Sequence, residues 1–196
     1  MADDIEEPNP LDLHQSAGLV GAYCAIERRL FELTGSSATG PEMAPDTQVY
    51  LDSLSAEHAW HAELWADRLP VVSGIDAQAL VVIPAPAREV LDEVATGGSV
   101  ETLAGLFRVV LPRLIVSYSH HETAASSASE PPTLRALRLI LRDEVEALVA
   151  GEALVQRLLD TPEAVAAAGR TVIRLETRLA EAGVVPGLVP WPGRRA

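Results

Sequence analysis

Apolar residues in this chain recur at three- and four-residue steps, and polar residues fill the positions between. Leu13, Ala17, Val20, Tyr23, Cys24, Glu27, Leu30 and Phe31 form one such stripe, the pattern of a single helix face turned to a core. The glycine- and proline-bearing stretch TGSSATGPEMAPD (34–46) ends it and reads as a loop. A second helix is predicted from about Pro45 to Leu69, with Leu51, Leu54, His58, His61 and Trp65 on its seam and Pro70 as its stop. Residues 70–98 make a long connection with an extended apolar run, Ala79–Ile83, and a short helix over 86–95. A third helix spans about Val100 to Ala125, and Pro112 inside it predicts a kink or local break. After a turn at SSASEPP (126–132), a fourth helix opens on proline and runs to about Asp160. Its seam is Leu134, Leu137, Leu141, Glu144, Leu148, Gly151, Val155 and Leu158. TPEAVAAAGRTVIRLETRLAEAG is a fifth helix, capped by Thr161 with Pro162 at its first position.

Two helical hairpins joined by a long crossover predict an all-α four-helix bundle of one-crossover topology with an additional C-terminal helix. The organisation expected is a flexible acidic arm over residues 1–12, the bundle over 13–183, and a proline-rich tail over 184–196. That tail is apolar enough to lie against the body or a partner.

The seams are mostly aliphatic, so their polar members carry the chemistry. Glu27 interrupts the first seam, His58 and His61 the second, Tyr118 and His121 the third (after Leu103, Leu106, Val110 and Leu114), and Glu144 the fourth. A buried carboxylate is costly unless it is paired, protonated or metal-bound. Two readings stand for these residues: a metal site, or a hydrogen-bonded network of core histidines and carboxylates. Glu57, Tyr118, Glu122 and Asp143 are candidates to support the site from behind. Asp143 and Glu146 also read as solvated charges beside Arg142 and Arg138.

GAYCAIERRLFELTG, AEHAWHAELWADRLP and RDEVEALVAGEALVQ resemble the first, second and fourth helices of the ferritin-like superfamily, over roughly residues 13–160. The resemblance implies a carboxylate on the first and third helices, Glu-x-x-His on the second and fourth, and iron or manganese working on dioxygen or peroxide. Glu27, His61 and Glu144 match. The chain departs from that pattern at three places. His58 stands three residues before His61, where the pattern has glutamate; Ala147 stands three after Glu144, where it has histidine; and the third-helix seam carries Tyr118 and His121, with Glu122 one step off. The expected site is therefore reshaped, drawing on Glu27, His58, His61, His121 and Glu144.

Composition narrows the field. A net charge of −13, with all 15 basic residues arginine and scattered, argues against nucleic acid. The absence of lysine excludes Schiff-base chemistry, and the single cysteine excludes thiolate zinc and iron–sulfur sites. No nucleotide-binding glycine motif is present, and no apolar run approaches the ~20 residues of a membrane span. The acidic start MADDIEEPNP is unlike a secretory leader. The chain is expected to be cytoplasmic and to form a homo-oligomer, a dimer, with a protein partner as an option. Two functions are carried forward: a divergent ferritin-like protein with a degenerate or reshaped metal site in the bundle core and a binding or scaffold role, or an iron- or manganese-dependent ferritin-like oxidase or oxygenase using Glu27, His58, His61 and Glu144.

Overall fold

Helix α1, Leu13–Ala38, opens on Asp12, whose carboxylate accepts from the Gln15 amide while the Gln15 side chain accepts from the Asp12 amide. The computed structural model describes residues 11–40 and 43–188, all-α with no strand among them. Most of the arm expected over 1–12, and the tail beyond Leu188, lie outside the described residues. α2 (Pro45–Ala66), α3 (Ala85–Ala95), α4 (Ser99–Gly105), α5 (Leu111–Ala124), α6 (Pro131–Leu158) and α7 (Pro162–Ala182) follow.

α1 outruns its expected end by a full turn. Thr34 and Ser37 hydroxyls donate back to the Leu30 and Leu33 carbonyls, so the polar run TGSSA stays helical. α1 and α2 form an antiparallel hairpin whose register is fixed by contacts along its length. The Ser55 hydroxyl donates to the Phe31 carbonyl, His58 meets Glu27, and the Cys24 thiol reaches the Ala62 carbonyl. Leu13 and Phe31, placed on the seam by periodicity, are instead exposed; Leu51, Leu54, His58, His61 and Trp65 are all buried.

The connection between the hairpins is more ordered than its sequence suggests. Gln78–Leu80 form one 3₁₀ turn, cutting into the apolar run expected to be extended, and Val82 is exposed. α3 then buries Ala87, Val90, Leu91 and Val94. The break predicted at Pro112 takes the form of a π-helical turn, Leu106–Val110, between α4 and α5. The Leu111 amide donates to the Leu106 carbonyl, five residues back. Proline has no amide to offer the preceding turn, and a widened turn absorbs the mismatch. Phe107, carried on this turn, lies against Gly151 of α6, where a Cβ would stand 2.0 Å from its ring.

α6 runs beside α5, tied by Arg138 to Glu122 at 2.8 Å, and beside α2, where the Tyr50 hydroxyl donates to the Ala147 carbonyl. α7 opens as expected, with the Thr161 hydroxyl accepting from the Ala164 amide. It buries Ala168, Thr171, Leu175 and Leu179, and its Glu176 receives Arg113 of α5. The described part of the tail folds back: Val185 and Leu188 are buried, and Gly187, at φ +84°, lies close to Ile26.

A Cβ on Gly21 would stand 2.2 Å from the backbone oxygen of Leu80, whereas one on Gly18 meets nothing within 4 Å. Gly21→Ala should therefore cost about 1–3 kcal/mol by forcing the connection off α1. Gly18→Ala should add about 0.5–1 kcal/mol through helix propensity alone. Urea unfolding of both variants checks this, and like-signed shifts would show that the connection does not depend on this close approach.

Candidate metal centre

Four helices converge on one buried polar layer. Residues three apart on a helix share a face, so His58 and His61 both project from α2 towards Glu27 of α1 and Glu144 of α6. All four side chains are 0–1% exposed. The Nδ1 atoms of both histidines point into the layer. His58 Nδ1 lies 2.7 Å from Glu27 Oε2 and 3.5 Å from Glu144 Oε1. His61 Nδ1 lies 3.1 Å from Glu144 Oε1 and 3.8 Å from Glu27 Oε2.

α5 supplies the fourth side of the layer. The Tyr118 hydroxyl donates to Glu27 Oε1 at 2.5 Å and accepts from Trp65 Nε1 at 3.2 Å. Tyr23 stacks against both rings, with centroids 4.6 Å from Tyr118 and 5.0 Å from Trp65. The aromatic groups exclude water from one side of the carboxylates.

Electrostatics follow from this burial. Desolvation pushes the Glu27 carboxyl up, but His58, His61 and the Tyr118 hydroxyl outweigh it and hold the group below its ordinary value. At Glu144, burial and the charge of Glu27 win, and the carboxyl is raised. Burial pulls both histidines down, yet the facing carboxylates reverse this. His58 is raised, and His61 is raised to about 9. Tyr118 is held well above its ordinary value by burial and by Glu27.

The group has the donor set and spacing that could hold a metal ion, its four ligand atoms lying within 4.8 Å of one another. Donors about 2.1 Å from a four-coordinate ion stand about 3.4 Å apart. The observed separations of 2.7, 3.1, 3.5 and 3.8 Å straddle that edge. Glu144 Oε2 is buried without a hydrogen-bond partner, as are His58 Nε2 and His61 Nε2. An ion inside the layer would answer the spare Glu144 oxygen and fix each histidine proton on Nε2.

Of the residues expected at the site, the structure brings Glu27, His58, His61 and Glu144 together, with Tyr118 beside them. His121 is not among them. It is buried on the same face of α5, but its Nε2 lies 3.2 Å from the Ser16 hydroxyl and its ring against Tyr23. Ser16 and Glu27 are eleven residues apart on α1, roughly 16 Å along the axis, so His121 serves a different layer. Glu122 is likewise elsewhere, paired with Arg138. Asp143 is only 11% exposed in its side chain, and its Oδ2 lies 3.5 Å from His61 Nε2. Glu57 is half-buried nearby, its carboxyl raised by burial and by Asp143 against the opposing pull of His61. Periodicity did not foresee two contacts: the Trp65 donation to Tyr118, though Trp65 sits one turn beyond His61 on the same seam, and the Ser16–Glu130 hydrogen bond.

No family model matches the chain, and no curated protein or solved structure proves similar to it. No helix among the described residues is long and apolar enough to cross a membrane. The class that fold and site define is thus an all-helical protein with a buried Glu/His/His/Glu cluster.

Two measurements test the layer itself. Tyr118→Phe removes the donor to Glu27 and the acceptor for Trp65, and should cost about 1–3 kcal/mol in urea unfolding; a loss below about 0.3 kcal/mol would mean the hydroxyl is not engaged. In metal-free protein, His61 gains proton affinity on folding, from 6.5 to about 9. A raised histidine stabilises fully below its unfolded value and loses that contribution as pH rises through the folded one. Stability should therefore fall between about pH 6.5 and 9, and His61→Asn should flatten that slope.

Proposed function

We propose that the chain is a divergent ferritin-like bundle that holds a single iron or manganese ion among Glu27, His58, His61 and Glu144. The observation that carries this reading is the convergence of two Nδ1 atoms and two carboxylates, all 0–1% exposed, at separations fitting one coordination sphere. Mixed nitrogen and carboxylate donors without thiolate suit divalent iron, manganese or zinc, and the ferritin-like resemblance favours the first two.

When bound, such an ion would supply redox or Lewis-acid chemistry towards a molecule the size of dioxygen or peroxide. The protein's own residues set that limit. The donors are buried, covered on one side by Tyr118, Trp65 and Tyr23. Two surface cavities, of about 270 and 340 Å³, are lined by other residues, Ser36 to Thr102 in one and Leu13 to Thr133 in the other. Tyr118 holds one oxygen of Glu27 by its hydroxyl, leaving the other oxygen turned towards the histidines. Trp65 in turn fixes the Tyr118 hydroxyl.

A binding or scaffold role remains the second reading. Val165 and Ile173 on α7 and Val145 and Val149 on α6 are exposed, and a homodimer formed through such residues fits the earlier expectation. In the described part of the tail, Val185 and Leu188 are buried in the chain's own core.

Metal analysis of protein expressed with iron and manganese, with zinc measured alongside, tests the first reading. About one equivalent per chain is expected, falling below about a tenth in Glu27→Gln/His61→Asn. Reloading the metal-free protein at pH 7 should release at least about one proton per ion, because His61 is protonated there. Less than about a tenth of an equivalent in the wild type, unchanged by the double substitution, would leave the histidines as a hydrogen-bonded network.

A further inference from the structure

His61 faces two donor groups, one through each ring nitrogen. Nδ1 looks into the buried layer, while Nε2 looks the other way, towards Asp143 Oδ2 at 3.5 Å. Glu57 completes this second group, and its three donor atoms also lie within 4.8 Å of one another. His61 is 1% exposed, and its Nε2 is buried with no hydrogen-bond partner. An orphaned ring nitrogen aimed at two carboxylates is a donor without an acceptor, or a lone pair without an ion. Exposure rises outward across the group, from His61 through Asp143 to half-buried Glu57.

We propose that Glu57, Asp143 and Nε2 of His61 form an outer capture site for a divalent cation, and that His61 passes the ion inward to the buried layer. The inward half of this proposal rests on the inner site proposed above; the outer site stands on its own residues. A neutral imidazole has one lone pair. With an ion on Nε2, the remaining proton sits on Nδ1 and is donated to Glu144 Oε1 at 3.1 Å. With an ion on Nδ1, the proton sits on Nε2, facing Asp143. Passage inward thus loses one proton at Nδ1 and gains one at Nε2, each through the carboxylate facing that nitrogen. The two sites are filled in turn, not together.

The charges around the outer group fit capture. Glu57 and Asp143 repel one another, and Glu146 adds to the field on Glu57. Arg142 answers Asp143 at 3.3 Å, but its own side chain is 65% exposed and free to swing away when a cation arrives. Trp60 lies against the His61 ring at 5.7 Å and is itself 43% exposed, so the outer group sits at the surface of the bundle.

Stopped-flow uptake of Mn²⁺ by metal-free protein, read with a dye that reports free Mn²⁺, tests this. In Glu57→Gln/Asp143→Asn, loading should slow at least about tenfold, because two steering charges are gone. The final stoichiometry at saturating Mn²⁺ should stay at one ion per chain. Arg142→Gln, a surface change that does not threaten folding, should speed loading about twofold or more. Glu27→Gln/Glu144→Gln should keep a fast, weak uptake at the outer group. Loading rates within about twofold of wild type in both Glu57→Gln/Asp143→Asn and Arg142→Gln would overturn the capture site and leave the inner one standing. Two ions bound at once by the wild type would overturn the passage between them. Tight wild-type uptake that survives Glu27→Gln/Glu144→Gln but vanishes in Glu57→Gln/Asp143→Asn would instead sink the inner site and keep the outer.

Discussion

The core of this protein depends on neutralising two carboxylates that have been taken out of water. Glu27 and Glu144 are 0–1% exposed, on helices from different hairpins. Leaving either unanswered costs several kcal/mol. α2 answers both, because His58 and His61 stand one turn apart on the same face and each reaches one carboxylate more closely than the other. α2 therefore links α1 to α6 through two imidazoles as well as through its buried Leu51, Leu54 and Trp65. Removing one partner of such a pair leaves an uncompensated buried charge, typically a loss of about 3–5 kcal/mol. The layer specifies register as well as stability: a one-turn slip of α2 would set Leu54 against Glu27 in place of His58.

The aromatic groups support this layer. Trp65, Tyr118 and Tyr23 form a mutually stacked group, and only Tyr118 sends a polar atom into the layer. Tyr23 turns its own hydroxyl away, to the Ser117 carbonyl and hydroxyl. Beyond Tyr23 lies a separate polar layer of His121, Ser16 and Glu130. The bundle thus carries two polar layers along its axis. The inner one is sealed and rich in charge. The other reaches the surface through Glu130, and burial depresses the pKa of its histidine.

Much of this was legible in the sequence, and the part that was not has a common cause. A period of three and four fixes the angle at which a side chain leaves its helix, so His58, His61, Glu144 and Tyr118 were rightly read as inward. The same period says nothing of height. Height depends on hairpin register, which is set by loops and by contacts such as Ser55 with Phe31, and the period alone therefore does not separate His121, beside Ser16, from the Glu27 layer. Pro112 announced a break but not its kind, because a π-turn and a kink relieve the same missing amide. The run TGSSA read as a loop by composition, yet serine and threonine hydroxyls bonded to preceding carbonyls keep it helical. Asp143 read as a solvated charge because it neighbours Arg142; its contact with His61 arises only when α2 and α6 are brought together.

Ferritin-like membership is only a sequence resemblance, and the places where the chain differs from that pattern share one electrostatic meaning. Ala147 stands where that pattern has a second histidine; its methyl packs in the apolar core and its carbonyl accepts from Tyr50. His58 stands where α2 would carry a carboxylate. The nitrogen donors are thereby gathered on one helix, and the inward carboxylates fall to two. Two carboxylates with two neutral imidazoles balance one divalent cation. A second divalent cation in the same layer would bring two uncompensated positive charges into a space closed to water, at a cost of several kcal/mol for each. The nearest further anions, Glu57 and Asp143, lie on the far side of the His61 ring. Charge balance therefore favours one inner ion, and the single lone pair of a neutral His61 leaves the outer group able to use its ring only while the inner layer is empty.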